Sequence, residues 1–324
     1  MQSEPTIILS ATDPDLPNKI PSGIDRYTGL REIARGGNGL LRSAFDPVTG
    51  RTVAIKSVLP PLTNDVNERR RLLREARVTA QLQHPNTVPV YDIGRDLLEG
   101  VYFVMKRISG ENLFQVLKRI ARKDEATAKA FPIPKRIDII EGACQALAYA
   151  HARGVIHRDV KPENIWVGNF GEVYLLDWGV AKVWGHVDDQ TVIRQDRIAT
   201  RDPGEQLQTL TGGGQRPGTP LYMSPEQVRG NRGLDERSDV FNVGVCLYEA
   251  LVIREPFRGT HLDETFDNIL NKDVTPPSEA APEIGIPKTA DAVVMRALEK
   301  QPAKRFQSMR EMIDAIQSIF PQTV

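Results

Sequence analysis

The sequence has few cysteines, and their placement excludes several kinds of site. Its 324 residues contain two cysteines, Cys144 and Cys246, and no Cys-x-x-Cys pair, so we expect neither a structural zinc site nor a disulfide framework. Each cysteine lies in an apolar, helix-like stretch, where a buried free thiol is expected. This cysteine usage fits a reducing compartment, and the predicted location is the cytoplasm.

An excess of charge and a long apolar run are both missing. Lys plus Arg and Asp plus Glu each total 42, so nothing in the charge balance indicates binding to nucleic acid. The polar N-terminus lacks the apolar core of a signal peptide. The longest apolar run, residues 240–253, is broken by Asn242 and Glu249. That run is too short to span a bilayer, so we expect no membrane segment and predict a buried helix there.

Periodicity divides the chain into regions of different character. Residues 1–24 are polar and aperiodic and are predicted to be a flexible arm. Residues 25–107 predict a small β-rich lobe with one helix at 67–82. Residues 108–322 predict a larger helical lobe that contains a long polar segment, 183–216. A small β-rich lobe followed by a helical one is an α+β arrangement.

A glycine-rich string, Arg35-Gly36-Gly37-Asn38-Gly39, lies between two strand-like segments. Glycines let backbone N–H groups approach phosphate oxygens closely. A simple hairpin turn explains the string equally well at this point. The chain has no GxxxxGK[ST] motif, which argues against a P-loop nucleotidase.

A lysine and a glutamate are predicted to form a buried pair. Lys56 ends the alternating strand Val53-Ala54-Ile55-Lys56. On the following helix, Glu75 shares one face with Leu72, Thr79 and Leu82 by its spacing of three and four. A carboxylate on that face is costly unless it is paired. Lys56 is the expected partner, and such a pair can hold an ammonium group against phosphate oxygens.

The most informative string is Ile156-His157-Arg158-Asp159-Val160-Lys161-Pro162-Glu163-Asn164. Pro162 interrupts any helix, so Asp159 and Asn164 lie on a loop. A predicted hairpin of strands 165–167 and 173–176 then leads to Asp177-Trp178-Gly179. An amide oxygen and a carboxylate brought together in this way suit Mg²⁺, which prefers hard oxygen ligands and shared phosphates.

These motifs, in this order and spacing, resemble those of the Hanks-type protein kinases, and in particular the bacterial serine/threonine kinases. The resemblance covers residues 27–320 and implies the two-lobed kinase fold. Its marks are the glycine string, Val-Ala-Ile-Lys56, Glu75, His84-Pro85-Asn86, His157-Arg158-Asp159, Asn164, Asp177-Trp178-Gly179, Gly218-Thr219-Pro220, Ser224-Pro225-Glu226, Asp239 and Arg305.

The resemblance implies a set of catalytic and metal-binding residues. Asp159 accepts the proton of the substrate hydroxyl, and Lys161 steadies the γ-phosphate. Lys56 holds the α- and β-phosphates and is held by Glu75. The implied magnesium ligands are Asn164 and Asp177, with Mn²⁺ as the alternative metal.

The resemblance also implies an ATP site and two structural contacts. Glu226 is expected to pair with Arg305, and Asp239 to tether the catalytic loop. Met105 would lie at the back of the adenine pocket, the backbone of Lys106 and Ile108 would bond adenine, and either Glu111 or Asn112 would meet the ribose. The predicted nucleotide-binding residues are Ala34, Gly36, Gly37, Gly39, Leu41, Ala54, Lys56, Met105, Lys106, Ile108, Asn112 and Trp166.

Lys161 and Thr219 resemble the serine/threonine branch of the family rather than the tyrosine branch. The implied function is transfer of the ATP γ-phosphate to serine and threonine hydroxyls of protein substrates, including the chain's own activation segment, 177–226. A homodimer that autophosphorylates in trans is left open. A pseudokinase that binds nucleotide or partners is the alternative, but every charged group needed for transfer is present.

Three residues depart from the family pattern. Ala34 replaces the first glycine of the loop, which is tolerable if its φ is negative. Trp166 replaces a Leu-sized residue, and Trp178 replaces a phenylalanine. Because an indole N–H needs a partner when it is buried, we expect that of Trp178 to reach the Thr79 hydroxyl or a backbone carbonyl, with a solvent-facing indole as the alternative.

A final expectation concerns activation. Arg158, Lys182 and Arg71 form a predicted cationic cluster that an anion would stabilise. Phosphothreonine at Thr209 or Thr211 would supply about −1.5 to −2 charges.

Overall fold

The computed structural model describes residues 21–36, 39–96, 100–183, 220–231 and 233–320. The chain forms two compact units. The N-terminal unit comprises Met1–Gln83 and Val88–Ser109, and the C-terminal unit comprises His84–Thr87 and Gly110–Val324. The first unit is built on a β-sheet and the second mainly on helices, which confirms the predicted α+β class.

The N-terminal unit contains a five-stranded antiparallel sheet in the order β1-β2-β3-β5-β4. Its central strand β3 pairs Ala54 with Met105 and Lys56 with Phe103 of β5. Lys56 therefore lies in the middle of the sheet. The strands are β1 Thr28–Gly36, β2 Gly39–Asp46, β3 Arg51–Ser57, β4 Val90–Asp96 and β5 Gly100–Lys106.

One α-helix, α1 at Val66–Gln81, packs on this sheet. Its first turn is capped by the Asp65 carboxylate, which accepts the N–H groups of Asn67 and Glu68. Leu72 and Ala76 of α1 join Val101 and Phe103 of the sheet in one apolar cluster. The helix predicted at 67–82 is confirmed.

The core of the C-terminal unit is formed by two helices that contact each other, α4 and α6. Every residue of α6 from Ser238 to Val252 is buried, which confirms the buried helix predicted at 240–253. The helices are α2 Leu113–Ala121, α3 Glu125–Ala130, α4 Ile133–His151, α5 Pro225–Val228, α6 Arg237–Val252, α7 Leu262–Asn271, α8 Pro277–Ala280, α9 Lys288–Ala297 and α10 Met309–Gln317.

Two small sheets carry the motif-bearing loops of the C-terminal unit. The sheet β6-β8-β9 contains the predicted hairpin, and β7 pairs with β10. Asn86 fixes the hairpin, because its side chain donates to the Val173 carbonyl and its own carbonyl accepts the Leu175 N–H. The strands are β6 Gly110–Asn112, β7 Val155–Ile156, β8 Ile165–Gly168, β9 Val173–Leu175 and β10 Lys182–Val183.

Candidate active site

The predicted lysine–glutamate pair is present in the N-terminal unit. Lys56 Nζ lies 2.5 Å from Glu75 Oε1. Leu72, Glu75 and Thr79 are all buried, as the spacing on α1 requires. The Thr79 hydroxyl donates to the Glu75 carbonyl at 2.7 Å. The pair places a cation in a fixed position at the centre of the sheet.

The glycine-rich string forms the connection between β1 and β2. Gly36 pairs with Gly39, and Gly37 lies outside the described residues. Gly39 has a φ of 112°, and a Cβ there would press against the Ser57 carbonyl oxygen, so only glycine fits. Ala34 is absent from the described non-glycine residues with positive φ. The replacement of glycine by Ala34 is therefore tolerated, because its φ is not positive.

The other nucleotide-binding candidates of the N-terminal unit lie on β2, β5 and the segment after β5. Leu41 of β2 lies opposite Lys56, and Ala54 and Met105 are cross-strand neighbours. Lys106 donates its backbone N–H to the Pro89 carbonyl at 2.9 Å. Ile108 lies in the segment between β5 and β6 and is partly buried.

Asp159, Lys161 and Asn164 form one hydrogen-bonded group. Lys161 Nζ lies 2.8 Å from Asp159 Oδ2, and Asn164 Nδ2 donates to the Asp159 carbonyl at 2.8 Å. Burial acts to lower the pKa of Lys161, but the carboxylates of Asp159 and Asp177 outweigh it, and this pKa is raised. Lys161 is therefore held as a cation beside the Asp159 carboxylate.

Asp177 is brought to Asn164 by the hairpin. The Leu176 N–H donates to the Asn164 carbonyl at 2.8 Å. Asp177 is the next residue after Leu176, so the hydrogen bond brings its backbone close to Asn164. Among the described residues, Asp177 is one of four non-glycine residues with a positive φ, at 63°. The amide nitrogen of Asn164 is bonded to Asp159, so its oxygen is the end available as a ligand. One amide oxygen and one carboxylate suit Mg²⁺, which usually keeps several waters and binds few protein groups.

The backbone before Asp159 is tethered by Asp239 of α6. Asp239 Oδ2 accepts the His157 N–H at 2.9 Å, and Oδ1 accepts the Arg158 N–H at 2.8 Å. His151 Nε2 lies 2.8 Å from the same carboxylate. Burial acts to raise the pKa of Asp239, but the hydrogen bonds from His151 and His157 outweigh it, and the pKa is lowered. The expected tether is therefore present. His151 is a further hydrogen-bond partner of the Asp239 carboxylate, and the sequence did not indicate it.

A second predicted ion pair braces the C-terminal unit. Arg305 makes two bonds to Glu226, Nη1 to Oε1 at 2.7 Å and Nη2 to Oε2 at 2.9 Å. Arg305 also donates to the carbonyls of Glu299, Lys300 and Arg237. Its side chain is fully buried, so the brace fixes α5 against the loop before α10.

Comparison with known proteins agrees with this geometry. The protein kinase domain family matches residues 27–316, which includes Lys56, Glu75, Asp159, Asn164 and Asp177. The chain belongs to the protein kinase family.

Three similar curated proteins are bacterial serine/threonine kinases. The serine/threonine-protein kinase PknD of Chlamydia caviae is 36% identical over 88% of this chain and 30% of its own length. PknD of Chlamydia felis is 34% identical over 91% of this chain and 31% of its own length. PknD of Protochlamydia amoebophila is 32% identical over 92% of this chain and 30% of its own length. The kinase chain thus spans about a third of the length of these relatives. The resemblance to bacterial Hanks-type serine/threonine kinases is confirmed.

The remaining nucleotide-binding candidates of the kinase lie on β6 and β8. Asn112 is paired with Trp166 across the ladder, so the two side chains share one face. The Asn112 side chain accepts the Gln115 N–H at 2.9 Å and caps α2. Glu111 lies on the other face and pairs with Arg119 at 2.5 Å. The register therefore favours Asn112 over Glu111 as the ribose-binding candidate.

Trp178 is almost completely buried, at 1% exposure, so the solvent-facing indole considered above is wrong. Its ring packs against that of His157, with ring centroids 4.5 Å apart. The indole N–H donates to the Leu175 carbonyl at 3.3 Å. Of the two predicted partners, the backbone carbonyl is therefore the one used.

His157 has a role that the motif alone did not reveal. Its Nε2 lies 3.0 Å from the Leu176 carbonyl and its Nδ1 accepts the Asp159 N–H at 3.2 Å. These contacts require the neutral tautomer with the proton on Nε2. Burial lowers the pKa of His157, which stabilises the same neutral form.

The predicted activation threonines Thr209 and Thr211, with Thr219, lie outside the described residues. Two members of the expected cationic cluster have backbone partners. Arg158 Nε donates to the Val180 carbonyl at 2.7 Å, and Lys182 Nζ donates to the Leu234 carbonyl at 3.3 Å. The phosphothreonine hypothesis stays a prediction.

Within the described parts of the chain, no helix combines the length and the apolar character that a bilayer crossing requires. The cytoplasmic location stays a prediction.

Proposed function

We propose that this chain transfers the γ-phosphoryl group of ATP to serine and threonine hydroxyls of proteins, including threonines of its own activation segment. The observation that carries the proposal is the Asp159–Lys161–Asn164 group, in which the Lys161 ammonium donates to the Asp159 carboxylate and the Asn164 amide donates to the Asp159 backbone carbonyl. Phosphoryl transfer needs mainly positioning and charge stabilisation, and this group supplies both.

In the proposed reaction Asp159 orients the substrate hydroxyl and accepts its proton. The hydroxyl oxygen forms a bond to the γ-phosphorus as the bond to the β,γ-bridging oxygen breaks, and ADP leaves with that oxygen. Lys161, whose pKa is raised beside Asp159, remains charged and stabilises the transferred group.

Lys56 is proposed to hold the α- and β-phosphates. Glu75 fixes the ammonium at 2.5 Å, so less side-chain entropy is lost when phosphate binds. Lys56 lies on the central strand of the sheet and Glu75 on helix α1, which suits a positioning role.

Asn164 and Asp177 are proposed to hold the divalent cation. Bound Mg²⁺, or Mn²⁺ as the alternative, would neutralise phosphate charge. Few protein ligands are expected for a cation shared with phosphates, and no cluster of three or more His, Cys, Asp or Glu side chains suited to a metal occurs in the described ranges.

The predicted nucleotide-binding residues are retained as the proposed ATP site. In the N-terminal unit these are Ala34, Gly36, Gly37, Gly39, Leu41, Ala54, Lys56, Met105, Lys106 and Ile108, and in the C-terminal unit Asn112 and Trp166. A pseudokinase is not favoured, because the kinase relatives align along most of the chain and all the transfer groups are present.

Two substitutions test the proposal. Asp159→Asn should bind ATP normally but lower the transfer rate about 10²- to 10⁴-fold, because the hydroxyl loses its proton acceptor. Lys56→Met should also abolish transfer. The measurement is incorporation of labelled phosphate from ATP and Mg²⁺, with mass spectrometry to identify the modified residues. Asp138→Asn, on the exposed side of α4, is the matched control and should keep full activity. Parental activity in both test variants would overturn the site assignment.

Autophosphorylation in trans is proposed as the route to phosphothreonine at Thr209 or Thr211. The Asp159→Asn chain, inactive itself, should become phosphorylated when it is mixed with the parent chain. Phosphate only on the parent chain would contradict transfer between two copies.

A further inference from the structure

The residue before the proposed catalytic aspartate has an unusual backbone. Arg158 has a φ of 68°, which lies in the left-handed region where a non-glycine residue is strained. Such a conformation persists only when its surroundings hold it. Its N–H is held by Asp239. Its carbonyl oxygen also needs a partner, because Arg158 is buried.

That partner is Gln227 of α5. Its Nε2 donates to the Arg158 carbonyl at 2.7 Å, across 69 residues of sequence. Its Oε1 accepts the Ser224 N–H at 2.9 Å and Asn242 Nδ2 at 3.0 Å. One amide side chain therefore connects the segment after Pro220, helix α6 and the backbone before Asp159.

The Arg158 carbonyl belongs to the same peptide group as the Asp159 N–H. That N–H donates to His157 Nδ1 at 3.2 Å. With the carbonyl bonded to Gln227, both polar ends of the peptide plane are fixed. A rotation of this plane would move the Cα of Asp159 and with it the carboxylate.

We propose that Gln227 is a positioning residue for phosphoryl transfer, acting through the Arg158–Asp159 peptide group to hold the Asp159 carboxylate in place. The inference rests on the proposed role of Asp159. The Gln227 side chain would then have two roles, because it caps helix α5 and also holds Asp159, the proposed proton acceptor.

The kinetic test compares two substitutions. Gln227→Met has a similar shape but no hydrogen bonds, and Gln227→Glu keeps an acceptor for Ser224 and Asn242 but has no donor for Arg158. Both should lower kcat about 10- to 100-fold, a loss of the size that an ångström-scale misplacement produces. The KM for ATP should stay within about twofold, because Lys56 and the nucleotide-binding residues are untouched.

Gln307→Met is the matched control. Gln307 also donates to backbone carbonyls, those of Pro302, Ala303 and Arg305, and accepts from Arg237, but it has no bond to the catalytic loop. It should lose stability without the fall in kcat. Melting curves establish that each variant is folded at the assay temperature.

A spectroscopic signature separates positioning from a general loss of stability. Labelling arginine with ¹³C at the carbonyl and aspartate with ¹⁵N gives signals from three Arg–Asp pairs, 95–96, 158–159 and 201–202. Asp159→Asn removes one signal and so assigns it. In folded Gln227→Met the Arg158 carbonyl resonance should move to lower frequency, because its hydrogen bond is lost, while the same resonance in Gln307→Met should not move.

The outcomes distinguish the two proposals. If Asp159→Asn is inactive and Gln227→Met keeps the parental kcat or an unshifted Arg158 resonance, the inference about Gln227 is overturned. If Asp159→Asn is as active as the parent, the proposed role of Asp159 fails instead, and the resonance test still reports whether Gln227 holds the peptide.

Discussion

Two buried tyrosines of this kinase have hydroxyl groups in opposite situations. The Tyr102 hydroxyl is buried and has no hydrogen-bond partner among the described residues, whereas the Tyr222 hydroxyl donates to Glu249 at 2.5 Å. A buried polar group costs free energy unless it is bonded. The same chemical change at the two positions should therefore have opposite effects.

Tyr102→Phe should raise the free energy of unfolding by about 1 kcal/mol, because an unsatisfied hydroxyl is removed. Tyr222→Phe is the matched comparison and should lower the free energy by about 1–3 kcal/mol, because the buried Glu249 loses a donor. Urea unfolding of the two variants measures both values. Destabilisation by Tyr102→Phe as large as that by Tyr222→Phe would contradict this account.

His157 should make stability depend on pH. Burial lowers its pKa in the folded chain below the ordinary value of 6.5, so below that pH the unfolded chain takes up a proton that the folded chain does not. The contribution of His157 to the free energy of unfolding is therefore fully present above pH 6.5. It decreases as the pH falls below that value, by at most about 1.4 kcal/mol per pH unit for one proton.

In His157→Phe this part of the slope should disappear between pH 6.5 and 5, as measured by denaturant unfolding at each pH. The pKa of His84 is lowered by burial as well, so His84 contributes to the slope that remains. An unchanged slope in His157→Phe would show that the buried histidine does not resist protonation.

At this scale the sequence predicted some pairings and missed others. The Lys56–Glu75 pair follows from helical spacing, because an inward-facing carboxylate requires a nearby cation. The Gln227–Arg158 bond does not follow from any local pattern. Ser224 and Gln227 match a capping box, and this pattern predicts the hydrogen bond that Gln227 Oε1 accepts. It does not predict the partner of Gln227 Nε2.

At the scale of elements, β6 depends on a glycine. Gly110 has a φ of 123°, and a Cβ there would collide with the Val167 carbonyl oxygen of β8. The close approach of the two strands sets the register that places Asn112 beside Trp166. The integrity of this short strand is therefore tied to the proposed ATP site.

Gly110→Ala should destabilise the C-terminal unit and raise the KM for ATP several-fold, because β6 must move away from β8. Gly171→Ala is the control. Gly171 also has a positive φ, at 87°, but open space where the Cβ would be, so the change should cost only backbone strain, on the order of 1–3 kcal/mol, and leave the KM unchanged. Equal KM values in the two variants would refute the link between β6 and ATP binding.

Long amphipathic or apolar elements and the β8–β9 hairpin were predictable, whereas the short strands β6 and β10 were not. Helices α1 and α6 match the predicted segments because many periodic apolar positions define them. The extent of β6, with three residues, and β10, with two, depends on tertiary pairing that no local pattern encodes. Asp177 likewise takes a left-handed φ that its sequence neighbours do not require.

At the scale of the whole molecule, the buried brace between Glu226 and Arg305 joins residues 79 apart in the sequence. Burial acts to raise the pKa of Glu226, but its bonds to Arg305 outweigh this, and the pKa is lowered from 4.5. The pair therefore stabilises the fold above that pH, and its contribution is lost as the pH falls through the lowered value.

Arg305→Met should cost about 3–5 kcal/mol, because it leaves the Glu226 carboxylate buried without its cation. Adding Glu226→Gln should recover part of that loss, since the remaining group is neutral. A double-mutant cycle on the free energy of unfolding at neutral pH is the measurement. Strictly additive losses would show that the two side chains do not stabilise each other.

The two-unit architecture could be predicted because the motifs fall in family order along most of the chain. The brace and the Asp239 tether were expected only through that resemblance, since neither follows from periodicity.

The two cysteines provide a built-in chemical probe of opening. Cys144 on α4 and Cys246 on α6 are completely buried, and burial raises the pKa of both thiols. Because a thiolate is the reactive form, a thiol reagent should modify neither cysteine while the helices stay packed. The rate of labelling in excess reagent would then report how often α4 and α6 open to solvent, and the measurement needs no introduced dye or substitution.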